Sequence, residues 1–289
     1  MAELETTDAA AAGTVGLGGD VQVRRLGFGA MRITGDGIWG PPKDHDAAIA
    51  VLRRAVDLGV DFIDTADSYG PEVSEELIAE ALHPYPGGLV IATKGGMTRP
   101  GPGQWERDGR PEHLREACER SLKRLRVERI DVYQLHAVDP DVPLEESVGA
   151  LAELRDEGKI AHVGVSNVKA DELARARDIV PIVSVQNRYS VADRVAEPAL
   201  EACESAGIAF IPWFPLGSGD LEVTGAIGRI ADAHGATPFQ VALAWLLARS
   251  PVMLPIPGTS SVEHLEDNVA AAALRLTEDE VAELTALGD

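Results

Sequence analysis

Eight short β-rich runs recur along the chain, each followed by a stretch with helical spacing. No other feature limits the possible folds as strongly. The runs are residues 26–30 (LGFGA), 61–65 (DFIDT), 89–94 (LVIATK), 129–136 (RIDVYQLH), 160–165 (IAHVGV), 182–186 (IVSVQ), 208–213 (IAFIPW) and 252–256 (VMLPI). Between them, apolar residues return every three or four positions. Ile49, Leu52 and Val56 share one helix face, as do Leu114, Cys118, Leu122 and Leu125, and then Leu144, Val148, Leu151 and Leu154. Thr237-Pro238 with Gln240 supplies an N-cap, a first-turn proline and a capping-box partner.

Strands that alternate with helices form a parallel sheet covered by those helices, and eight repeats suffice to close it. The expected class is therefore α/β, a (β/α)8 TIM barrel. An open, doubly wound sheet is the alternative. It is disfavoured because GLGGDV and GFGAMR both lack the third glycine of a dinucleotide-binding turn.

The organisation expected is a flexible N-terminal tail over residues 1–13 and one barrel domain over residues 14–289. TVGLGGDVQVRRLG (14–27) reads as a β-hairpin turning at Gly18-Gly19-Asp20, and Thr277 with Glu280 caps an extra C-terminal helix. A chain of 289 residues with a net charge of −21 is a poor partner for nucleic acid or an anionic membrane surface. No apolar run approaches the roughly 20 residues that span a bilayer. The acidic start, MAELETTDAAAAG, lacks a basic and then apolar leader. Cys118 and Cys203, far apart in helix-like stretches, make no disulfide framework. A cytoplasmic protein, monomeric or a weak homo-oligomer, is expected.

In a barrel of this kind, chemistry gathers where the strands end. Those ends carry Asp64 followed by Tyr69, then Lys94, His136, Ser166-Asn167, Gln186, Trp213 and Gly258-Thr259-Ser260-Ser261. Singly, each has a bland reading: a turn-capping acid, a snorkelling lysine, a core histidine, a loop tyrosine. Together on successive strand ends they converge on one pocket. Other chemistries lack their residues. There is no HExxH, no cysteine cluster with zinc spacing, no P-loop and no GxSxG, so no metal is expected.

The motifs DTADSYG (64–70), ATKGG (92–96), YQLH (133–136), GVSN (164–167), SVQNRYS (184–190), WFPLG (213–217) and IPGTSSVEHLEDN (256–268) occur in order. On these the chain resembles the aldo/keto reductase family over nearly its whole length. The resemblance implies a (β/α)8 barrel that reduces an aldehyde or ketone with NADPH, and a catalytic set of Asp64, Tyr69, Lys94 and His136. Tyr69 would be the proton donor. Hydride delivery to a carbonyl carbon leaves a developing alkoxide that needs such a donor. Lys94 is expected to favour the phenolate and sharpen Tyr69 as an acid, Asp64 to hold Lys94 charged, and His136 to bond the carbonyl oxygen.

The resemblance also implies cofactor contacts at Ala30, Met31, Ser166, Asn167, Gln186, Trp213, Pro215, Leu216, Gly258, Thr259, Ser260, His264, Asp267 and Asn268. Ser166, Asn167 and Gln186 would hold the nicotinamide carboxamide, and Trp213 would stack on its ring. The glycine and hydroxyls before a helix at 257–268 suit a phosphate. The lysine and arginine that grip the 2′-phosphate in the best-known pattern are Gly258 and His264 here. Thr259, Ser260 and the helix start would take over, with NAD as the alternative cofactor. GAMRITGDGIWGPPKDHDAA (29–48) resembles the bacterial pyridoxal reductase-like branch, which makes pyridoxal the candidate substrate. Trp39 and Trp105 are expected to wall the substrate pocket. The rival reading is a non-catalytic nicotinamide-binding auxiliary or sensor subunit, since this barrel also serves potassium channels in that role. The complete set of Asp64, Tyr69, Lys94 and His136 favours the enzyme.

Overall fold

The computed structural model describes residues 7–215 and 225–288. A hairpin comes first, β1 (Thr14–Leu17) antiparallel to β2 (Val21–Arg24). β3 (Phe28–Gly29), α1 (His45–Asp57), β4 (Phe62–Asp64), α2 (Val73–Leu82) and β5 (Val90–Gly95) then alternate. A small hairpin of β6 (Met97–Thr98) and β7 (Glu106–Arg107) precedes α3 (Pro111–Leu125). The alternation resumes through β8 (Ile130–Leu135), α4 (Leu144–Asp156), β9 (Ile160–Ser166), α5 (Ala170–Arg177), β10 (Ile182–Arg188), α6 (Glu197–Ala206) and β11 (Ala209–Trp213). The remaining helices are α7 (Ala226–His234), α8 (Pro238–Arg249), α9 (Val262–Ala270) and α10 (Glu278–Thr285).

One parallel sheet runs in the order β11, β10, β9, β8, β5, β4, β3. The eighth expected run, 252–256, bridges its two edges without building a regular ladder. Pro251, Pro255 and Pro257 bring no N–H to it. What remains suffices for closure. Phe210 N–H donates to Val252 O at 2.8 Å, Leu254 N–H to Phe210 O at 2.8 Å, and Gly27 N–H to Pro255 O at 2.9 Å. The result is the (β/α)8 barrel, with the expected hairpin before it and α10 after it.

Strand periodicity divides the barrel's apolar residues into two cores. Side chains on alternate positions point into the lumen, where Phe62, Val90, Ala92, Val132, Ala209, Ile211 and Leu254 meet Val15, Leu17 and Val23 of the hairpin. The hairpin thus plugs the end where the strands begin. Ile63, Ile91, Tyr133, Val163, Val185 and Phe210 face outward and pack with the helices. A further step of two along each strand changes the inward residue from apolar to polar: Phe62 to Asp64, Ala92 to Lys94, Val132 to Gln134. That change marks the open end of the lumen.

Local start signals act as their sequence implies. Thr237 and Gln240 exchange both capping-box bonds at 2.9 and 3.2 Å, and Thr277 and Glu280 do so at 2.8 and 3.3 Å. The flexible tail assigned to residues 1–13 needs correction over its described part. Residues 9–12 form a 3-10 turn capped by Asp8, and Ala9 is fully buried with its N–H donating to Leu58 O at 2.9 Å. Among the described residues, no helix is long and apolar enough to cross a membrane.

Candidate active site

The inward polar residues at the open end touch one another. Lys94, fully buried on β5, donates from Nζ to Asp64 Oδ1 at 2.6 Å, to Thr65 O at 2.8 Å and to Tyr69 Oη at 3.3 Å. Asp64 Oδ2 accepts from Gln134 Nε2 at 3.0 Å and from Gln186 Nε2 at 2.8 Å. A carboxylate only accepts, so every neighbour of Asp64 at these distances is a donor. Gln134 was not singled out from sequence, although it occupies the inward position just below His136.

Charge states follow from burial and these contacts. Burial pushes the Lys94 ammonium down, but Asp64 and Tyr69 more than offset it, and the net displacement is upward. The buried lysine therefore stays charged. Tyr69 departs from the sequence expectation. Burial raises its phenol more than Lys94 lowers it, so its pKa sits above the ordinary value. The phenol holds its proton and offers it only to a strong base. Burial first, and Lys94 second, push His136 well below the ordinary histidine value, leaving the imidazole neutral. Its Nδ1 lies 3.3 Å from Ser68 Oγ, and its other ring nitrogen has no hydrogen-bond partner among the described residues.

A cavity of about 530 Å³ opens over this cluster. Asp64, Tyr69 and His136 line it, as do Met31, Ser166, Asn167, Gln186, Trp213, Pro215 and Gly258. Ser166, Asn167 and Trp213 form a tied group. Ser166 Oγ donates to Gln186 O at 2.7 Å, Asn167 Nδ2 to Ser166 Oγ at 3.1 Å, and Trp213 Nε1 to Asn167 Oδ1 at 3.0 Å. Asn167 adopts a left-handed conformation, φ 57°, which asparagine tolerates better than most residues. An adjoining cavity of about 690 Å³ shares Met31, Arg32 and Phe214 with the first and reaches Ser260.

Several residues expected at the cofactor or substrate do not line these cavities, or line them only in part. Ala30 is fully buried beneath the floor and its carbonyl accepts from Ser74 Oγ at 3.1 Å. Thr259 Oγ1 is turned to Ser261 N–H at 3.1 Å, and His264, Asp267 and Asn268 lie on α9 outside the lining of either cavity. Leu216 falls outside the described residues. Trp105 lines the cavity with its ring 6.5 Å from Tyr69 and 6.4 Å from His136, both edge-on. Trp39 does not line it. Its backbone pairs with Gly70, and its ring lies behind Arg99. Met97, Phe239 and Ile256 complete the apolar lining, and none of them carried a sequence signal beyond hydrophobicity.

The cavity combines apolar side chains at Trp213, Phe214 and Ile256 with side-chain amides and a buried phenol. This donor set fits a heteroaromatic ring bearing an amide, beside a carbonyl that is to gain a proton.

A family model described as the aldo/keto reductase family matches residues 25–289. An uncharacterized oxidoreductase of Schizosaccharomyces pombe is 52% identical over 278 residues, covering 96% of this chain and 90% of its own length. The pyridoxine 4-dehydrogenase of Escherichia coli is 44% identical over 272 residues, covering 92% and 95%. Among solved structures, an aldo-keto reductase from Klebsiella pneumoniae in complex with NADPH superposes with a TM-score of 0.81. It is 30% identical, and the match covers 95% of this chain and 94% of that one.

Proposed function

The chain belongs to the aldo/keto reductase family of oxidoreductases, and on that premise we propose that it reduces the aldehyde of pyridoxal, or a similar flat aromatic aldehyde, with NADPH. The observation that carries this reading is the contact chain Asp64–Lys94–Tyr69 beneath a cavity whose remaining reactive side chain is a neutral His136.

The bound nicotinamide supplies a hydride. Everything else falls to residues of this chain. The Tyr69 hydroxyl, kept protonated by burial, donates to the carbonyl oxygen and gives up its proton as that oxygen becomes an alkoxide. Lys94, charged and 3.3 Å away, stabilises the phenolate left behind. Asp64 keeps the ammonium charged and oriented through its 2.6 Å contact. The free nitrogen of His136 donates to the same oxygen and helps orient it. Asn167, Ser166 and Gln186 would hold the carboxamide, with Trp213 against the ring.

NADPH is favoured by the Klebsiella neighbour, which holds it, and by Arg32. That exposed guanidinium lines both cavities and forms no ion pair among the described residues. The Arg32 side chain runs beside Gly258, and it would offer a phosphate the cation that Gly258 and His264 do not. Pyridoxal is favoured by the 44% identical Escherichia coli relative, named for the oxidation of pyridoxine. The test is NADPH oxidation with pyridoxal against a panel of small aldehydes. A higher kcat/KM for pyridoxal is expected; equal values across the panel contradict the substrate assignment.

A further inference from the structure

Arg99 follows the small β6 strand and is only 9% exposed. Its guanidinium reaches three different loops. Nε donates to Gln104 O at 2.9 Å, Nη1 to Ile38 O at 3.0 Å and to Ser68 O at 3.2 Å, and Nη2 to Gly37 O at 3.4 Å. These acceptors lie in the loop after β3, in the loop after β4 and in the turn between β6 and β7. No carboxylate pairs with Arg99 among the described residues. The charge is held instead by carbonyls and by two indoles, with Cζ 3.7 Å from the Trp105 ring centroid and 5.5 Å from that of Trp39.

We infer that Arg99 is a positioning residue that sets the substrate-side wall of the cavity and so selects flat aromatic aldehydes over small aliphatic ones. This rests on the proposed carbonyl reduction. The guanidinium lies over the Trp105 ring and, farther off, over that of Trp39, and Trp105 meets Tyr69 and His136 edge-on. Without the guanidinium, a partly exposed indole on a Pro- and Gly-rich loop (RPGPGQW, 99–105) would keep only its edge-on contacts with Tyr69 and His136. The same guanidinium holds the backbone of Ser68, whose hydroxyl meets His136 Nδ1. Arg99 thus ties the wall that a substrate ring would lie against to the loop after β4, while His136, which would bond the carbonyl of any aldehyde, is placed by its own backbone N–H bond to Gly95 O at 2.9 Å. A lysine could not do this, because a point charge with one nitrogen cannot reach carbonyls arranged around a planar fork.

The test compares wild type, Arg99→Lys, Trp105→Ala and the double variant, with benzaldehyde and propanal as probe substrates. Arg99→Lys should raise the KM for benzaldehyde about tenfold, the equivalent of one lost charge-assisted contact, and leave that for propanal nearly unchanged. NADPH affinity should be unaltered. Trp105→Ala, a change on the exposed loop, should show the same selective loss, and the double variant should add nothing to it. Equal losses on both aldehydes, or additive effects of the two changes, overturn the inference. Amide hydrogen exchange on the free proteins gives a readout independent of turnover. The loops at 35–40 and 100–106 should exchange faster together in Arg99→Lys, and unchanged exchange overturns the clamp. If wild type turns over neither aldehyde, the proposed reaction fails, while the exchange result still decides whether Arg99 ties the loops.

Discussion

Replacing Asp64 with Asn changes one oxygen to an amide nitrogen, yet it should be among the most destabilising single changes in the barrel. Oδ1 faces the Lys94 ammonium, and Oδ2 faces two Nε2 donors from Gln134 and Gln186. An asparagine keeps one acceptor. If its oxygen stays on Lys94, its NH2 confronts two amide donors; if it flips, the NH2 confronts the ammonium. Either orientation leaves buried donors unpaired at a residue 2% exposed. Removing one partner of a buried ion pair typically costs about 3–5 kcal/mol. At about 2–4 °C per kcal/mol for a domain of this size, Tm should fall by roughly 6–20 °C at pH 7. The pH dependence adds a second check. In wild type the folded-state pKa of Lys94 is raised, so its stabilisation is complete below the unfolded value near 10.4 and is lost as pH climbs through the folded one. In Asp64→Asn only burial, Tyr69 and weaker dipoles act on Lys94, and its pKa drops. The lysine can then shed its charge, and the deficit should narrow between pH 7 and pH 10. Thermal unfolding of both proteins at several pH values measures this. A loss below about 1 kcal/mol at pH 7, or a deficit independent of pH, would refute the assignment of Asp64 as the essential counter-charge.

Two further expectations come from nearby groups. Asp67 is buried with Oδ1 unpartnered, and burial, aided by the Glu75 charge, pushes its pKa up to about 8. Its folded form keeps the proton, so the stability it lends is complete below the unfolded pKa near 3.9 and is lost as pH rises through about 8. Asp67→Asn should therefore unfold at a higher temperature than wild type at pH 9, with the advantage shrinking toward pH 4; a pH-independent difference would contradict the buried acid. Adding NADPH should quench tryptophan emission. Trp213→Phe should lose most of that quench while calorimetry still detects binding, and an undiminished quench would remove Trp213 from the ring's neighbourhood.

Much of this was legible in the sequence because barrel geometry is periodic. Alternation along a strand sends Asp64, Lys94 and His136 inward wherever Phe62, Ala92 and Val132 point inward, so the strand-end residues converge without any knowledge of loops. Helix starts at Thr237 and Thr277 were readable because a capping box is a local contact. What escaped depended on distance or on backbone chemistry. The prolines at 251, 255 and 257 turned a strand into a bridge, although the run still looked apolar. The upward displacement of Tyr69 comes from burial, and burial is a property of the folded site rather than of DTADSYG. Trp39 and Trp105 had the same residue type and similar loops, and what separates them is long-range: Trp39 pairs through its backbone with Gly70, while Trp105 lies under Arg99 and lines the cavity. Arg99 itself sits in a turn-rich stretch with no periodicity to mark it. Gln134 could have been found by the same step of two that found Lys94.

The central claim is that Tyr69 is the proton donor of a carbonyl reductase, and Tyr69→Phe tests it most directly. The substitution removes one hydroxyl, leaves the ring between Trp105 and His136, and keeps the Asp64–Lys94 contact. Measured by NADPH oxidation with pyridoxal, kcat should fall by about 10²–10⁴-fold, the usual share of a positioned general acid, while the Kd for NADPH stays unchanged. Turnover at the wild-type rate with the cofactor bound as tightly would contradict it and return Tyr69 to the loop it closes.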